Sequence, residues 1–474
     1  MFKPISFLLA ATLLASTAGC GTRMSDGDII AALRAPMTTS EVPAPAAPDV
    51  TQPAATDTIS DEATNHAPAD AGSVGTPGVA AVPGAPAAAS KPAGDRATKG
   101  APPAPKPVTL PSVPTVADKS EVVVGTLGSF SGVLGAVTAR SPRTLQAWTA
   151  STNATGGLNG HPVKLIVADD QGDPATALTL AHRLVESYHV LAMVGDVHFF
   201  GFDQIHQYMR SKDIPMIGGD GATPDWYSSP VVFPVSAPGA VQIIKGLKMY
   251  VDRGVRKMGM LYCLEVGSLC QYLSDQAKKS EVGQYILQSY QVSLVAPSYT
   301  SQCLRMKQAN LEVIYMLMDT ASASRLVKDC ATQGYTPKLM LLGLDATKEM
   351  PRIPTLGTAL MPGATVSTGA TDLPAVARLH KVIDTYAPSV GESGFGALGY
   401  AAAEMLALVG KNLSDHPTSA ELIAALYKVK NETLGGLTVP LSYSKNGATV
   451  GQCVFIWGVA NGAFTAPEGS KPLC

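Results

Sequence analysis

Residues 122–132 read VVVGTLGSFSG, and residues 155–177 read TGGLNGHPVKLIVADDQGDPATA. Two apolar runs rich in β-branched residues, 122–127 and 163–168, flank a segment of helix length, 140–153. Each run ends in small or acidic residues. Asp173 followed by Pro174 then supplies an N-cap and a first-turn proline for another helix. Strand, helix, strand in that order is a βαβ unit, and it opens a parallel sheet. Ligands of such sheets bind beyond the carboxyl ends of the strands. The loops that follow the strands are therefore the first places to look for a site.

Working outward, the same alternation continues. Strands are expected at 191–195, 214–218, 231–235, 258–263, 292–296, 313–318 and 339–344. Helical periods fall between them at 175–189, 202–212, 237–251, 270–282, 301–309 and 321–333. That pattern predicts a doubly wound α/β arrangement. After Asp345 the rhythm changes to helices at 373–386, 395–412 and 419–427. A hairpin-like end follows, with arms at 437–443 and 452–459 and a turn at Lys445, Asn446 and Gly447.

The 35 basic and 37 acidic residues nearly cancel, so the chain carries no electrostatic footprint for nucleic acid. No apolar run reaches the roughly 18–20 residues of a membrane span. Lys3, the apolar stretch 5–15 and the small residues that follow it read as an export signal over residues 1–19. Cys20, after Ala18 and Gly19, resembles the lipidated cysteine of a bacterial lipobox, although Thr17 replaces the usual Leu or Val. The alternative is ordinary cleavage with Cys20 incidental. Residues 20–117 are dominated by Ala, Pro, Thr, Ser and Gly. Without aromatic anchors or a strand or helix period they are expected to form an unstructured tether, about 50 Å long as a coil.

Six further cysteines remain, an even number that favours disulfides in an exported chain. No C-x-x-C pair occurs and the histidines are not clustered near the cysteines, so a metal site is not expected. Cys263 ends a strand and Cys270 opens the next helix, which predicts one bridge. Cys303 and Cys330 lie on successive helices and predict a second. Cys453 with Cys474 would fasten the C-terminal tail.

Enzyme motifs fail on inspection. The GSFSG run at 128–132 has Phe130 where a nucleophile elbow needs serine. GESGF at 391–395 lacks the closing glycine. GGDG at 218–221 follows a strand but lacks the Lys-Ser/Thr of a phosphate loop, and there is no H-E-x-x-H. Asp169 and Asp170 are adjacent on a strand end and point in opposite directions, which suits turn formation and capping. No catalysis and no cofactor are expected.

The order and spacing of GSFSG (128–132), GGLNG (156–160) and the D-x-x-x-D-P-x-x-A run (169–177) resemble the first lobe of the leucine/isoleucine/valine-binding family of type I periplasmic binding proteins. The resemblance covers almost all of residues 119–465. It implies two Rossmann-like lobes joined by three chain crossings, at 236–239, at 361–364 and just after Asn446. Lobe 1 would hold 118–237 and 365–446, and lobe 2 would hold 238–364 and 447–474. It also implies a lipid-anchored extracytoplasmic protein that captures a small molecule for an ABC permease in the membrane, or senses it for a signalling partner.

In amino-acid-binding relatives a serine and a threonine on two first-lobe loops, with backbone amides, hold the ligand carboxylate. Here Phe199 falls at the serine position, and Ala222 or Thr223 at the threonine position beside Asp220. Phe199, Phe200 and Trp226 supply apolar faces for an aromatic or hydrophobic ligand, although Trp226 suits lobe packing equally well. On the second lobe the relatives' ammonium-binding glutamate aligns with Asp345, and an aromatic ligand contact becomes Asp319, which equally suits helix capping. Phe130, Glu265 and Phe395 complete the candidate ligand contacts.

Overall fold

The computed structural model describes residues 119–474. The expectations for Cys20, the export signal and the tether lie outside the described residues. β1 (Val122–Gly128) and β2 (Val163–Asp169) run parallel along their whole length, with Val122 opposite Val163 and Gly128 opposite Asp169. Helix Arg140–Ala154 connects them. Asp173 caps the next helix, Pro174–Glu186, by accepting from the Thr176 amide at 2.7 Å. The unit read from the sequence is present.

β3 (Ala192–Val194), β4 (Met216–Ile217) and β5 (Val232–Phe233) extend the first sheet in the order β2-β1-β3-β4-β5. A second parallel sheet has the order β7-β6-β8-β9, from β6 (Met258–Cys263), β7 (Ile286–Val292), β8 (Val313–Leu317) and β9 (Lys338–Leu341). In each sheet the first strand in sequence lies between the next two. The chain therefore winds outward in both directions and leaves a crevice at the carboxyl ends.

The chain passes between the two lobes three times. After β5, helix Gly239–Asp252 packs on helix Gly267–Lys279 and on β10 (Met361–Gly363), both beside the second sheet. After β10, helices Pro374–Tyr386 and Gly394–Val409 return to pack on helix Arg140–Ala154. The hairpin β11 (Leu441–Ser444) and β12 (Gly447–Val450) lies on β5. β13 (Phe455–Ala460) then pairs with β10 and with β14 (Ala463–Thr465).

Helix Gly394–Val409 is buried along nearly its whole length, and its small residues explain how. A Cβ at Gly399 would stand 2.8 Å from Ser141 Oγ, and one at Gly396 would stand 2.9 Å from Thr144 Oγ1. Glycine at both places lets the two helices approach closely. Ser393 caps this helix through the Gly396 amide, and that fixes the direction in which Phe395 leaves the first turn.

Two expected elements are displaced. The strand expected at 292–296 is instead Ile286–Val292. It lies at the sheet edge and is mostly half-buried, with Leu287 and Gln291 exposed, so Gln and Ser interrupt the apolar run and no clean strand alternation remains. The apolar run at 292–296 is the loop beyond it. The second hairpin arm expected at 452–459 is Gly447–Val450, while Phe455–Ala460 joins β10 across the molecule. The turn itself falls at Lys445 and Asn446, while Gly447, expected in the turn, already opens β12.

All three expected disulfides are formed: Cys263–Cys270, Cys303–Cys330 and Cys453–Cys474. The second ties helix Thr300–Gln308 to helix Thr320–Thr332 with both sulfurs buried. Replacing both of these cysteines with serine is expected to lower the unfolding free energy by about 2–4 kcal/mol, measured by urea unfolding of the non-reduced protein. An unchanged midpoint would mean that the bridge adds nothing to the packing around it.

Candidate functional site

The carboxyl ends of both sheets converge on one cavity of about 80 Å³. Phe199 comes from the loop after β3, and Asp220 and Ala222 come from the loop after β4. Phe395 is presented by the first turn of its helix and meets the Phe199 ring edge-on, with centroids 6.2 Å apart. From the second lobe, Leu317, Met318 and Asp319 follow β8, and Leu342, Leu344 and Asp345 follow β9. The disulfide between Cys263 and Cys270 forms part of the wall and closes the loop that carries Val266 and Leu269. The surface offered to a ligand is almost wholly aliphatic and aromatic, interrupted by three carboxyl groups.

Those three carboxyls differ. Asp319 is the N-cap of helix Thr320–Thr332: it accepts from the Ala321 amide at 2.8 Å and the Ser322 amide at 3.1 Å, and also from the Ser322 hydroxyl. Its oxygens are satisfied within the chain. Asp345 makes its hydrogen bonds through its backbone, whose carbonyl accepts from Thr320 Oγ1 at 2.7 Å. Burial, reinforced by the neighbouring Asp319 charge, holds the Asp345 carboxyl well above the usual carboxylate range. Asp220 is buried and accepts from two backbone amides, His198 at 2.7 Å and Ala222 at 2.9 Å.

Behind Asp220 lies the His198 ring, also buried, with Nε2 3.6 Å from Asp196 Oδ2. Burial lowers the imidazole's proton affinity. The close approach and charge of Asp196, with the charges of Asp220 and Asp170, outweigh it and raise its pKa. Burial pushes the Asp220 pKa up to about 6, against the opposing pull of the Ala222 amide and the His198 ring.

Both groups hold protons more tightly folded than unfolded, so both contribute stability at low pH that is lost as pH rises. For Asp220 the loss falls between its ordinary 3.8 and about 6. For His198 it continues above 6.5. The unfolding free energy is expected to fall by about 2–3 kcal/mol through the Asp220 window. Urea titrations at pH 4, 5, 6 and 7 check this. Asp220→Asn should flatten the profile, and an equal slope in that variant would show that Asp220 does not titrate in this range.

Six of the eleven expected ligand contacts line the cavity: Phe199, Asp220, Ala222, Asp319, Asp345 and Phe395. The other five do not. Trp226 is fully buried, with its indole stacked 4.5 Å from the Phe202 ring, so it packs the first lobe. Gly219 is tied to it: the backbone there has φ +112°, and a Cβ would collide with the indole. Thr223 stands just before the short helical turn Pro224–Tyr227 and is not part of the cavity lining. Phe130 is buried against Gly128 at the end of β1.

Phe200 and Glu265 line a separate groove with Ser129, Gln171 and Gly172. There Glu265 is engaged by Ser293 Oγ at 2.6 Å and the Leu294 amide at 2.9 Å. Sequence reasoning missed Leu134, Val137, Leu269, Leu273 and Leu294. Residues placed directly after β8 and β9 could have been found by counting onward from the strand ends. Leu273, on a helix, carried no such signal.

A sequence profile of the periplasmic binding protein family matches residues 121–463. An amino acid binding protein of Pseudomonas aeruginosa is 35% identical over 80 residues, which are 17% of this chain and 21% of that protein's length. Three solved structures share the fold. An extracellular ligand-binding receptor from Verminephrobacter eiseniae is 18% identical with a TM-score of 0.61, over 73% of this chain and 99% of that one. A fatty acid ABC transporter substrate-binding protein from Thermomonospora curvata is 16% identical with a TM-score of 0.62, over 71% and 88%. A solute-binding protein of an ABC transporter from R. palustris, in complex with benzoate, is 18% identical with a TM-score of 0.61, over 75% and 97%. At these identities the structures establish the fold alone. The profile spans well over half of the chain, in agreement with the resemblance of its opening βαβ unit, and the chain belongs to the periplasmic binding protein family, whose members are solute-binding proteins and not enzymes.

Proposed function

We propose that this protein captures a small, mostly apolar solute between its two lobes outside the cytoplasm and delivers it to an ABC importer. The observation that carries the reading is the cavity where both sets of strand ends meet, walled by apolar side chains from each lobe. A ligand there gains its full set of contacts only when the lobes are together. That difference in affinity shifts the population toward the closed form. The cavity is smaller than the roughly 150 Å³ that seats benzene in an engineered apolar pocket. At that volume it suits a short aliphatic group better than an aromatic ring.

A thermal-shift screen of amino acids, short amides, amines, fatty acids and polyols tests the reading, because a ligand that binds only the folded state raises its apparent stability. At least one compact apolar solute should raise the melting temperature, and radiolabelled uptake should require the same protein. Phe199→Ala is expected to weaken the hit by tens to hundreds of fold, because truncating a fully used aromatic wall costs about 2–4 kcal/mol. Calorimetry measures this, and parent-like affinity would move the site elsewhere. Delivery to a membrane partner fits anchoring through a lipidated Cys20, with residues 20–117 setting reach. Cys20→Ser should release the protein from the membrane fraction.

A further inference from the structure

Among the described residues no Lys, Arg or His lines the cavity, and three carboxyl groups do. A ligand carboxylate would therefore meet no cationic side chain, and two backbone amides at the first-lobe strand ends that could receive it are already taken. The amide of His198, after β3, and that of Ala222, after β4, both donate to the side chain of Asp220. Asp220 is itself buried and lines the cavity, so its charge would also oppose any incoming anion. The His198 ring behind it does not reverse this, because Asp196, Asp170 and Asp220 all surround that ring.

The far wall asks for the opposite kind of group. Asp319 is satisfied by its own helix, whereas the Asp345 carboxyl is left to the cavity. An N–H donor head would reach Asp345 while its hydrocarbon lies among Leu273, Leu317, Leu344 and Phe395.

Resting on the solute-binding reading above, we propose that Asp220 sets the ligand class: its carboxylate occupies, from within the chain, the amides that would otherwise receive a ligand carboxylate. The site accordingly takes small apolar molecules with an N–H donor head, and turns carboxylates away.

Calorimetry on the whole protein tests this with matched heads on one skeleton: propionate, propionamide and propylamine, then isovalerate, isovaleramide and isoamylamine. The parent should bind the amide or amine at least ten-fold more tightly than the carboxylate of the same skeleton. Asp220→Ala should gain at least ten-fold in affinity for the carboxylate. Asp220→Asn, which keeps the shape and loses the charge, should gain part of that and serves if the alanine variant does not fold. A parent that prefers the carboxylate, or variants that gain none, would overturn the role of Asp220 while leaving solute binding intact. If the broad thermal-shift screen finds only carboxylates, the result is the same. A screen without any hit would instead remove the solute-binding reading, and this inference with it.

Discussion

Trp226→Ala should lower the unfolding free energy by about 3–5 kcal/mol, the cost of emptying a fully buried aromatic site, while leaving the affinity of the folded protein within a few-fold of the parent. The indole has no exposed surface and stacks at 4.5 Å on Phe202. A Cβ at Gly219 would collide with it, so only glycine fits beside the indole. Those contacts lie within one lobe and beside the cavity, so their loss leaves a void that the neighbouring strands cannot easily fill. Urea unfolding and calorimetry on the same preparation separate the two effects. A loss of affinity without a loss of stability would return Trp226 to the binding surface.

The second large effect concerns binding. Ala222→Leu adds three carbons at the cavity wall, where only about 80 Å³ is open. The added side chain occupies the space the ligand needs, and affinity should fall by more than 100-fold. Overpacking of this size costs about 1–3 kcal/mol of stability, so the protein should still fold, which circular dichroism checks. Binding that survives the substitution would mean that the solute lies outside this cavity.

Much of this was legible from the chain. The opening βαβ unit was, because β-branched runs, an N-cap and a first-turn proline agree with one another over residues 122–177. The disulfides were, because Cys263 and Cys270 sit at the ends of adjacent elements, and so do Cys303 and Cys330 on neighbouring helices. The edge strand Ile286–Val292 was not, since Gln and Ser interrupt its apolar run and leave no clean alternation to register. In the site, Phe199 and Asp345 could be placed by the resemblance to amino-acid-binding relatives, and Asp220 by its neighbourhood to the threonine position of that resemblance. Trp226 could not be assigned, because an aromatic after a strand serves packing or binding equally well until its neighbours are known. Leu273 and Leu294 come together with the first lobe only through the folding of the whole chain, and no local pattern marks them.

The central claim is that the solute lies where the two sets of strand ends meet. A crystal structure of the protein with its tightest-binding screened solute tests it most directly. The account predicts ligand density between Phe199 and Phe395 on one side and Leu344 and Asp345 on the other, with the donor head toward Asp345. Density in the groove beside Phe200 and Glu265, or on the surface depression near Lys348 and His380, with this cavity empty, would contradict it.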